Sequence, residues 1–245
     1  MKLSKQIACY AYETSGDWDK IAEKIKNNAE AKSFNIEENY ITIVDELYPN
    51  KLRELRFPPW ILFYEGDISL LNQKCVGIVG SRKSLDYGIQ VTKMIASVLS
   101  NKYVLVSGLA KGIDAVVYEV GIGKGKTIGV LGCGLDVEYP KSNYALYEEM
   151  RKNHLLISEY PHFVRPQKWH FPWRNRIIAA LSEKCIVTQA KINSGTMLTV
   201  NEALNLNKDI YCVPYPINEI EGEGCNLLIQ QGAQIIVSVD YLSEM

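Results

Sequence analysis

At 245 residues, with 47% hydrophobic and 22% charged residues and a formal net charge of −1, the chain has an ordinary globular composition, enough for one large core plus a small appendage. No apolar run approaches the roughly 20 residues of a membrane span. The N-terminal stretch Met-Lys-Leu-Ser-Lys-Gln-Ile-Ala-Cys-Tyr has no long apolar region, so no signal peptide is expected and the expected location is cytoplasmic. Charge is unevenly placed: residues 1–50 carry −3, 51–71 are neutral, 72–192 carry +8 and 193–245 carry −6. A basic centre between acidic ends suits a local anion-binding surface rather than a chain coated in positive charge.

In chain order, residues 1–40 read as a short, polar, helical N-terminal appendage, with an apolar stripe at Ile21, Ala22 and Ile25 inside Asp19–Ala31. Residues 41–245 read as one further domain. Tyr40–Val44 is β-branched, Tyr48-Pro49 and Pro58-Pro59 punctuate an extended stretch, and Trp60–Tyr64 is a strand candidate ending before Gly66. From Cys75 on, apolar strand runs alternate with helices. The strands are expected at Val76–Gly80, Tyr103–Ser107, Thr127–Leu131, Leu155–Ser158, Lys184–Thr188, Ile210–Val213 and Gln234–Val237. The helices are expected at Asp86–Ser100, Ile113–Val120, Asn143–Lys152, Arg174–Leu181, Thr196–Leu206 and Cys225–Gln231. Continuous apolar strands between helices imply a mostly parallel sheet covered on both faces, an α/β, extended Rossmann-like doubly wound fold. Ligands in such folds bind beyond the carboxyl ends of the strands.

Five turns fall at those ends. The first is Gly80-Ser81-Arg82-Lys83, where Gly80 suits a close backbone approach to a ligand, and amides, a hydroxyl and two cations suit a phosphate. Ser107–Asp114 adds Lys111 and Gly112, and Gly132-Cys-Gly134 leads to Tyr139-Pro-Lys-Ser-Asn143. Phe171–Arg176 opens a helix with Pro in its first turn. Its Arg174 and Arg176 are two apart, so one can face a ligand and the other a partner or a carboxylate. Asn193-Ser194-Gly195-Thr196 opens another helix with free amides and hydroxyls. Each turn alone is also an ordinary cap.

Other chemistries find little support. Gly121–Gly125 precedes a strand and reads as a helix-to-strand connection, so it is not a dinucleotide loop, and GxxxxGK[ST] is missing. The six cysteines form no CxxC and read as buried reduced thiols, and the three histidines have no ligand spacing. No metal and no cofactor are expected.

The motifs together resemble the DNA-processing protein A family, also called DprA or Smf. The resemblance runs from about Tyr48 to Val239. It rests on Val79-Gly-Ser-Arg82, Ser107-Gly-Leu-Ala-Lys-Gly-Ile-Asp114, Thr127–Asp136, Tyr139-Pro140, Ser158-Glu-Tyr160, Phe171-Pro-Trp-Arg-Asn-Arg176, Ser194-Gly195 and Gly224–Ile229. It implies a non-enzymatic, dimeric, single-stranded DNA-binding recombination mediator that protects incoming DNA and loads RecA recombinase in natural transformation. Carried over, Gly80, Ser81 and Arg82 hold one phosphate, Lys141 holds another, and Arg174, Asn175 and Arg176 belong to the adjoining basic wall. Phe171 or Trp173 either stacks on a base or packs in the core. The sequence departs from the family at Val116-Val-Tyr118, Thr188-Gln-Ala190 and Pro214-Tyr-Pro216, has a short helical N-terminal part and shows no winged helix.

Two other functions compete. A nucleoside monophosphate phosphoribohydrolase needs a Glu where Thr199 stands, with Glu202 one helical turn away as the substitute. A nucleotide-sensing module would prefer a small nucleotide to an oligonucleotide.

Overall fold

The computed structural model describes residues 2–243. The chain opens with α1 (Leu3–Thr14) and α2 (Trp18–Lys26), then β1 (Asn39–Thr42), α3 (Asn50–Arg53) and β2 (Ile61–Gly66). The alternating region follows: β3 (Cys75–Gly80), α4 (Asp86–Leu99), β4 (Val104–Ser107), α5 (Ile113–Lys124), β5 (Thr127–Leu131), α6 (Tyr144–Asn153) and β6 (Leu155–Ser158). It ends with α7 (His170–Leu181), β7 (Lys184–Gln189), α8 (Gly195–Asn205), β8 (Asp209–Cys212), α9 (Glu223–Gln230), β9 (Gln234–Ile235) and α10 (Val239–Ser243).

The strands form one nine-stranded sheet in the order β1-β2-β6-β5-β4-β3-β7-β8-β9. The seven strands from β6 to β9 in that order run parallel, while β1 and β2 add an antiparallel edge. The fold is therefore the expected α/β, Rossmann-like, mostly parallel sheet. Strands β3 to β6 are buried along nearly their whole length, the pattern of a sheet covered on both faces. Helix α5 packs on α4 and α6, and α7 packs on α8, the two groups expected on opposite faces when crossovers wind right-handed in opposite directions from the sheet centre. The chain winds outward from β3 in one direction and from β7 in the other. These two neighbours mark the switch point, where the loops diverge and leave a crevice.

The N-terminal helices lie on the antiparallel edge. Ile7, Tyr10, Ala11 and Ile21 share a core with Phe63, Leu131, Tyr147 and Leu156 of the sheet and α6. Asp17 caps α2 by accepting from the Lys20 amide at 3.0 Å, which fixes where this helix begins.

Several expected boundaries differ, α7 starting at His170 instead of Arg174 and strand ends moving by one or two residues, and one difference changes a reading. α5 continues to Lys124 through Gly121 and Gly123, so this glycine run is the last turns of a helix and not a connection. A side chain at Gly121 would collide with Thr127 and Leu105, so the glycine lets the helix end lie flat on the sheet. All six cysteines are free and buried.

Candidate nucleic-acid interface

The Gly-Ser-Arg turn leaves β3 at the switch point and is tied down from three sides. The Ser81 amide donates to the Gln189 carbonyl of β7 at 2.9 Å. The Ser81 carbonyl accepts the Ile113 amide, the first of α5, at 3.1 Å. The buried Gln189 side chain accepts from the Leu85 amide at 2.9 Å and donates to the Lys83 carbonyl at 3.2 Å. Arg82 therefore projects from a fixed backbone. Its side chain is exposed, has no carboxylate partner among the described residues, and sits 5.3 Å from the centre of the Phe171 ring. That face-on placement is a cation–π contact.

Two expectations about this turn are corrected. A Cβ at Gly80 would lie 2.6 Å from the Ile113 side chain, so the missing side chain admits the start of α5, not a ligand. Gly112 has φ +75° and a Cβ there would strike the Ser81 carbonyl and the Arg82 backbone. It presses two loops together and its neighbour's amide is spent on Ser81. The Ser81, Lys83 and Leu85 amides are consumed within the protein, so these three are not offered to a ligand. Ser81 Oγ itself closes a local turn, accepting from the Lys83 amide at 3.1 Å and donating to its carbonyl at 2.9 Å.

The loop-to-loop contact has a useful consequence: it sets Lys111 beside the Arg82 turn, exposed and without a carboxylate partner among the described residues. Asp114 shapes this loop by accepting from the Gly108 and Ala110 amides at 3.1 and 3.3 Å. Burial pushes its carboxyl above the usual range, and the nearby Arg174 charge opposes that shift. Lys141 follows on the next loop, also exposed and likewise unpaired among the described residues. Asn143 binds the two loops together, donating to the Leu109 and Ala110 carbonyls at 3.0 and 3.1 Å. Arg82, Lys111 and Lys141 thus stand on consecutive, hydrogen-bonded loops along one edge of the sheet. Beside them lies an aromatic platform in which Tyr139 and Phe171 are 5.6 Å apart, while the exposed Tyr144 follows one turn after Lys141. On the far side of the switch point, Ser194-Gly195-Thr196 opens α8 and Gly195 stands in open space. The first amides of a helix lack intrahelical partners, so this end is open to an anion. Ser194 Oγ turns back to the Lys191 carbonyl at 2.9 Å, and Thr196 is buried.

The expected basic wall on α7 is not there. Arg174 is 4% exposed, donates to the Val130 carbonyl and is wrapped around Gly108 beneath the groove. Burial lowers its pKa from the ordinary arginine value, and the Asp114 charge works the other way. Arg176, also 4% exposed, makes a two-pronged pair with Glu159 at 2.5 and 2.6 Å and donates to the Phe57 carbonyl at 2.9 Å. Asn175 is buried too. Of the two arginines, one does face a carboxylate, as their spacing allows, but neither reaches the surface. The reason is that α7 crosses β3, β4 and β5 at the sheet centre, where any cation must be paired. Trp173 packs against Phe57 at 5.6 Å and under Arg176 at 4.1 Å, so only Phe171 remains at the groove. Gln189 and Tyr144 were not singled out from sequence, and Asn143 was marked only as the end of the Tyr139–Asn143 turn. Gln189 showed only as a departure in Thr188-Gln-Ala190, and Tyr144 sits unmarked inside the expected helix.

Among the described residues no group of His, Cys, Asp or Glu has metal-ligand geometry, and no helix is long and apolar enough to cross a membrane.

A profile of the family described as DNA recombination-mediator protein A matches residues 39–245. The chain is similar to the DNA processing protein DprA of Streptococcus pneumoniae, 42% identical over 205 residues, spanning 83% of this chain and 73% of that protein. It is also similar to DprA of Bacillus subtilis, 42% identical over 209 residues, with 84% and 70% covered. The X-ray structure of the Streptococcus pneumoniae protein superposes with a TM-score of 0.83 at 34% identity, covering 100% of this chain and 94% of that one. A Helicobacter pylori DprA structure, described for its single-stranded DNA binding mode, gives a TM-score of 0.78 at 34% identity, covering 85% and 95%.

Proposed function

The chain belongs to the DNA recombination-mediator protein A family, and on that premise we propose that it binds single-stranded DNA along the carboxyl edge of its parallel sheet. In this reading Arg82, Lys111 and Lys141 take successive phosphates, Phe171, Tyr139 and Tyr144 offer ring faces to bases, and the open start of α8 takes a further phosphate. The observation that carries it is the set of exposed cations, unpaired among the described residues, on hydrogen-bonded loops beside an aromatic platform. Stacking and backbone contacts read no sequence, which suits a protein that must coat any incoming strand. We place the protein in the cytoplasm as a homodimer that protects incoming DNA and hands it to RecA recombinase during natural transformation.

The phosphoribohydrolase alternative fares poorly. Thr199 is buried, and Glu202 lies about two turns along α8 from Gly195, on the wall of a different cavity. A titration with single-stranded oligonucleotide, duplex and mononucleotide separates the readings. The expected order is single strand first, with log affinity falling by about 0.7 per phosphate contact for each decade of salt. Equal or tighter duplex binding sinks the proposal, as does release of base from a nucleoside monophosphate above a heat-inactivated control.

A further inference from the structure

A second concavity opens on the other side of the α7 N-terminus. It has a volume of about 1310 Å³ and lies between the α1–α2 turn, the segment after α3, the loop leading into α7, and α8. Its walls carry Trp18, Phe57, Tyr160, Phe163, Trp169 and Trp173, an aromatic density unlike a polar surface dimple. Trp169 is 67% exposed and Phe163 48%, which leaves both rings facing solvent. Phe163 meets the rings of Tyr12 and His162 edge-on at 5.7 and 5.2 Å and Trp169 meets that of His170 at 5.4 Å, whereas Trp18 is held by its indole, which donates to the Pro58 carbonyl at 2.7 Å. The segment from Phe163 to Trp169 interleaves these rings with Arg165 and Lys168 and contains no carboxylate. Both cations are exposed and have no carboxylate partner among the described residues. Arg56 supplies a further exposed guanidinium from the opposite wall, 5.1 Å over the Phe57 ring.

This cavity adjoins the groove described above. Trp169 and Phe171 are two residues apart at the start of one helix, with His170 between them buried against Tyr160 and the Gly132 carbonyl. Phe171 faces Arg82 and Tyr139 on one side, while Trp169, Pro172 and Trp173 line the cavity on the other. We infer that single-stranded DNA leaving the Arg82 groove crosses the α7 N-terminus and enters this cavity, where Trp169 and Phe163 stack on bases and Arg165 and Lys168 hold the connecting phosphates. The inference rests on the proposed single-strand binding and extends its length. Exposed aromatic rings alternating with cations are the platform that sequence-tolerant strand binding uses. The carboxylates that share the cavity, Asp17, Asp19, Glu54 and Glu202, come from the start of α2, the segment after α3, and α8. They repel phosphate and keep the backbone on the Arg165–Lys168 side, turning bases inward.

The test compares oligothymidylates of about 6 and about 24 nucleotides, lengths below and beyond a single platform. Trp169→Ala should weaken the longer oligomer by roughly 5- to 100-fold, the size of one lost stacking contact, and leave the shorter one unchanged. Arg165→Glu should act in the same direction. Arg82→Ala should weaken both lengths. Tryptophan fluorescence adds an independent signal: the longer oligomer should quench wild type more than Trp169→Phe, and the shorter should quench both alike. Equal affinity of Trp169→Ala and wild type for the longer oligomer overturns the inference while leaving the Arg82 groove standing. An equal loss at both lengths also overturns it, since Trp169 would then act through the first groove. Wild-type protein that binds neither oligomer overturns the single-strand reading and this extension together.

Discussion

The two sets of basic residues that flank Phe171 have the same chemistry and opposite situations. Arg82, Lys111 and Lys141 sit on loops at the sheet edge, exposed and unpaired among the described residues. Arg174 and Arg176 sit on α7 where it crosses the sheet centre, each 4% exposed. An exposed cation keeps its water and can exchange it for a phosphate at small cost. A buried one has already given up its water and must be matched inside the protein. Arg176 is matched by Glu159 and the Phe57 carbonyl. Arg174 is matched in part, by the Val130 carbonyl and the nearby charge of Asp114, while its buried Nε has no hydrogen-bond partner among the described residues. The first set is available for ligand, and the second holds in place the floor on which the first set stands.

The sharpest way to break this contrast is to remove one half of the buried pair. Arg176→Ala leaves Glu159, with its side chain 7% exposed, as an uncompensated buried charge. Deletions of this kind cost about 3–5 kcal/mol. For a chain of this size that corresponds to a Tm lower by roughly 6–20 °C. Glu159→Ala should do much the same from the other side. Affinity for single strands, measured on the fraction that remains folded, should not change. A variant that melts like wild type yet loses DNA would return Arg176 to the interface and end the distinction.

Arg82→Ala tests the other half. The side chain has no carboxylate partner among the described residues, so stability should change by no more than about 0.5 kcal/mol, as is typical of surface changes. The lost contact with a phosphate is worth roughly 1.5–3 kcal/mol, or about one to two decades in Kd. Arg82→Lys should recover only part of this, because the charge returns without the planar fork and without the ring contact to Phe171. Lys141→Ala should cost less, and its clearest trace should be a salt dependence shallower by about 0.7 in log–log slope. A sharp drop in Tm for Arg82→Ala with unchanged affinity would make this turn structural.

How far the sequence foretold this depends on whether the deciding signal is local. The strands and helices from Cys75 onward were legible because apolar runs and helix starts are local patterns, and Thr127–Leu131 and Leu155–Ser158 fall where expected to the residue. The edge loops were legible because the fold class says where a parallel sheet exposes its loops. What could not be read was which of several arginines would be covered. Phe171-Pro-Trp-Arg-Asn-Arg176 looks as basic as Gly80-Ser-Arg-Lys83, and only the crossover that lays α7 on β3, β4 and β5 distinguishes them. The same holds for Gly80 and Gly112, whose small size serves Ile113 and the neighbouring loop. Their partners are more than 30 positions away for Gly80 and Ile113, and such pairings leave no mark on either segment alone.

The smallest expected effect concerns His170, which belongs to the buried set although it sits between the exposed Trp169 and the half-buried Phe171. The ring stacks on Tyr160 with centroids 4.0 Å apart, and Nδ1 lies 3.0 Å from the Gly132 carbonyl. Burial pushes its pKa below 6.5, and the Gly132 carbonyl opposes that shift without cancelling it. The unfolded chain keeps an ordinary histidine near 6.5 and so binds more proton than the folded protein as pH falls through that value. Stability from this group is therefore fully present above about pH 6.5 and is lost below it, at no more than about 1.4 kcal/mol per pH unit. His154 shifts in the same direction, so the variant lacking His170 should retain part of this dependence. Chemical denaturation of wild type and His170→Gln between pH 5 and 7.5 isolates the group by difference. The two stabilities should run parallel above about pH 6.5 and converge below it, because only wild type loses this contribution. If the difference stays constant across the range, the protonated ring is tolerated in place, and His170 belongs with the exposed residues of the edge rather than with the buried floor beneath them.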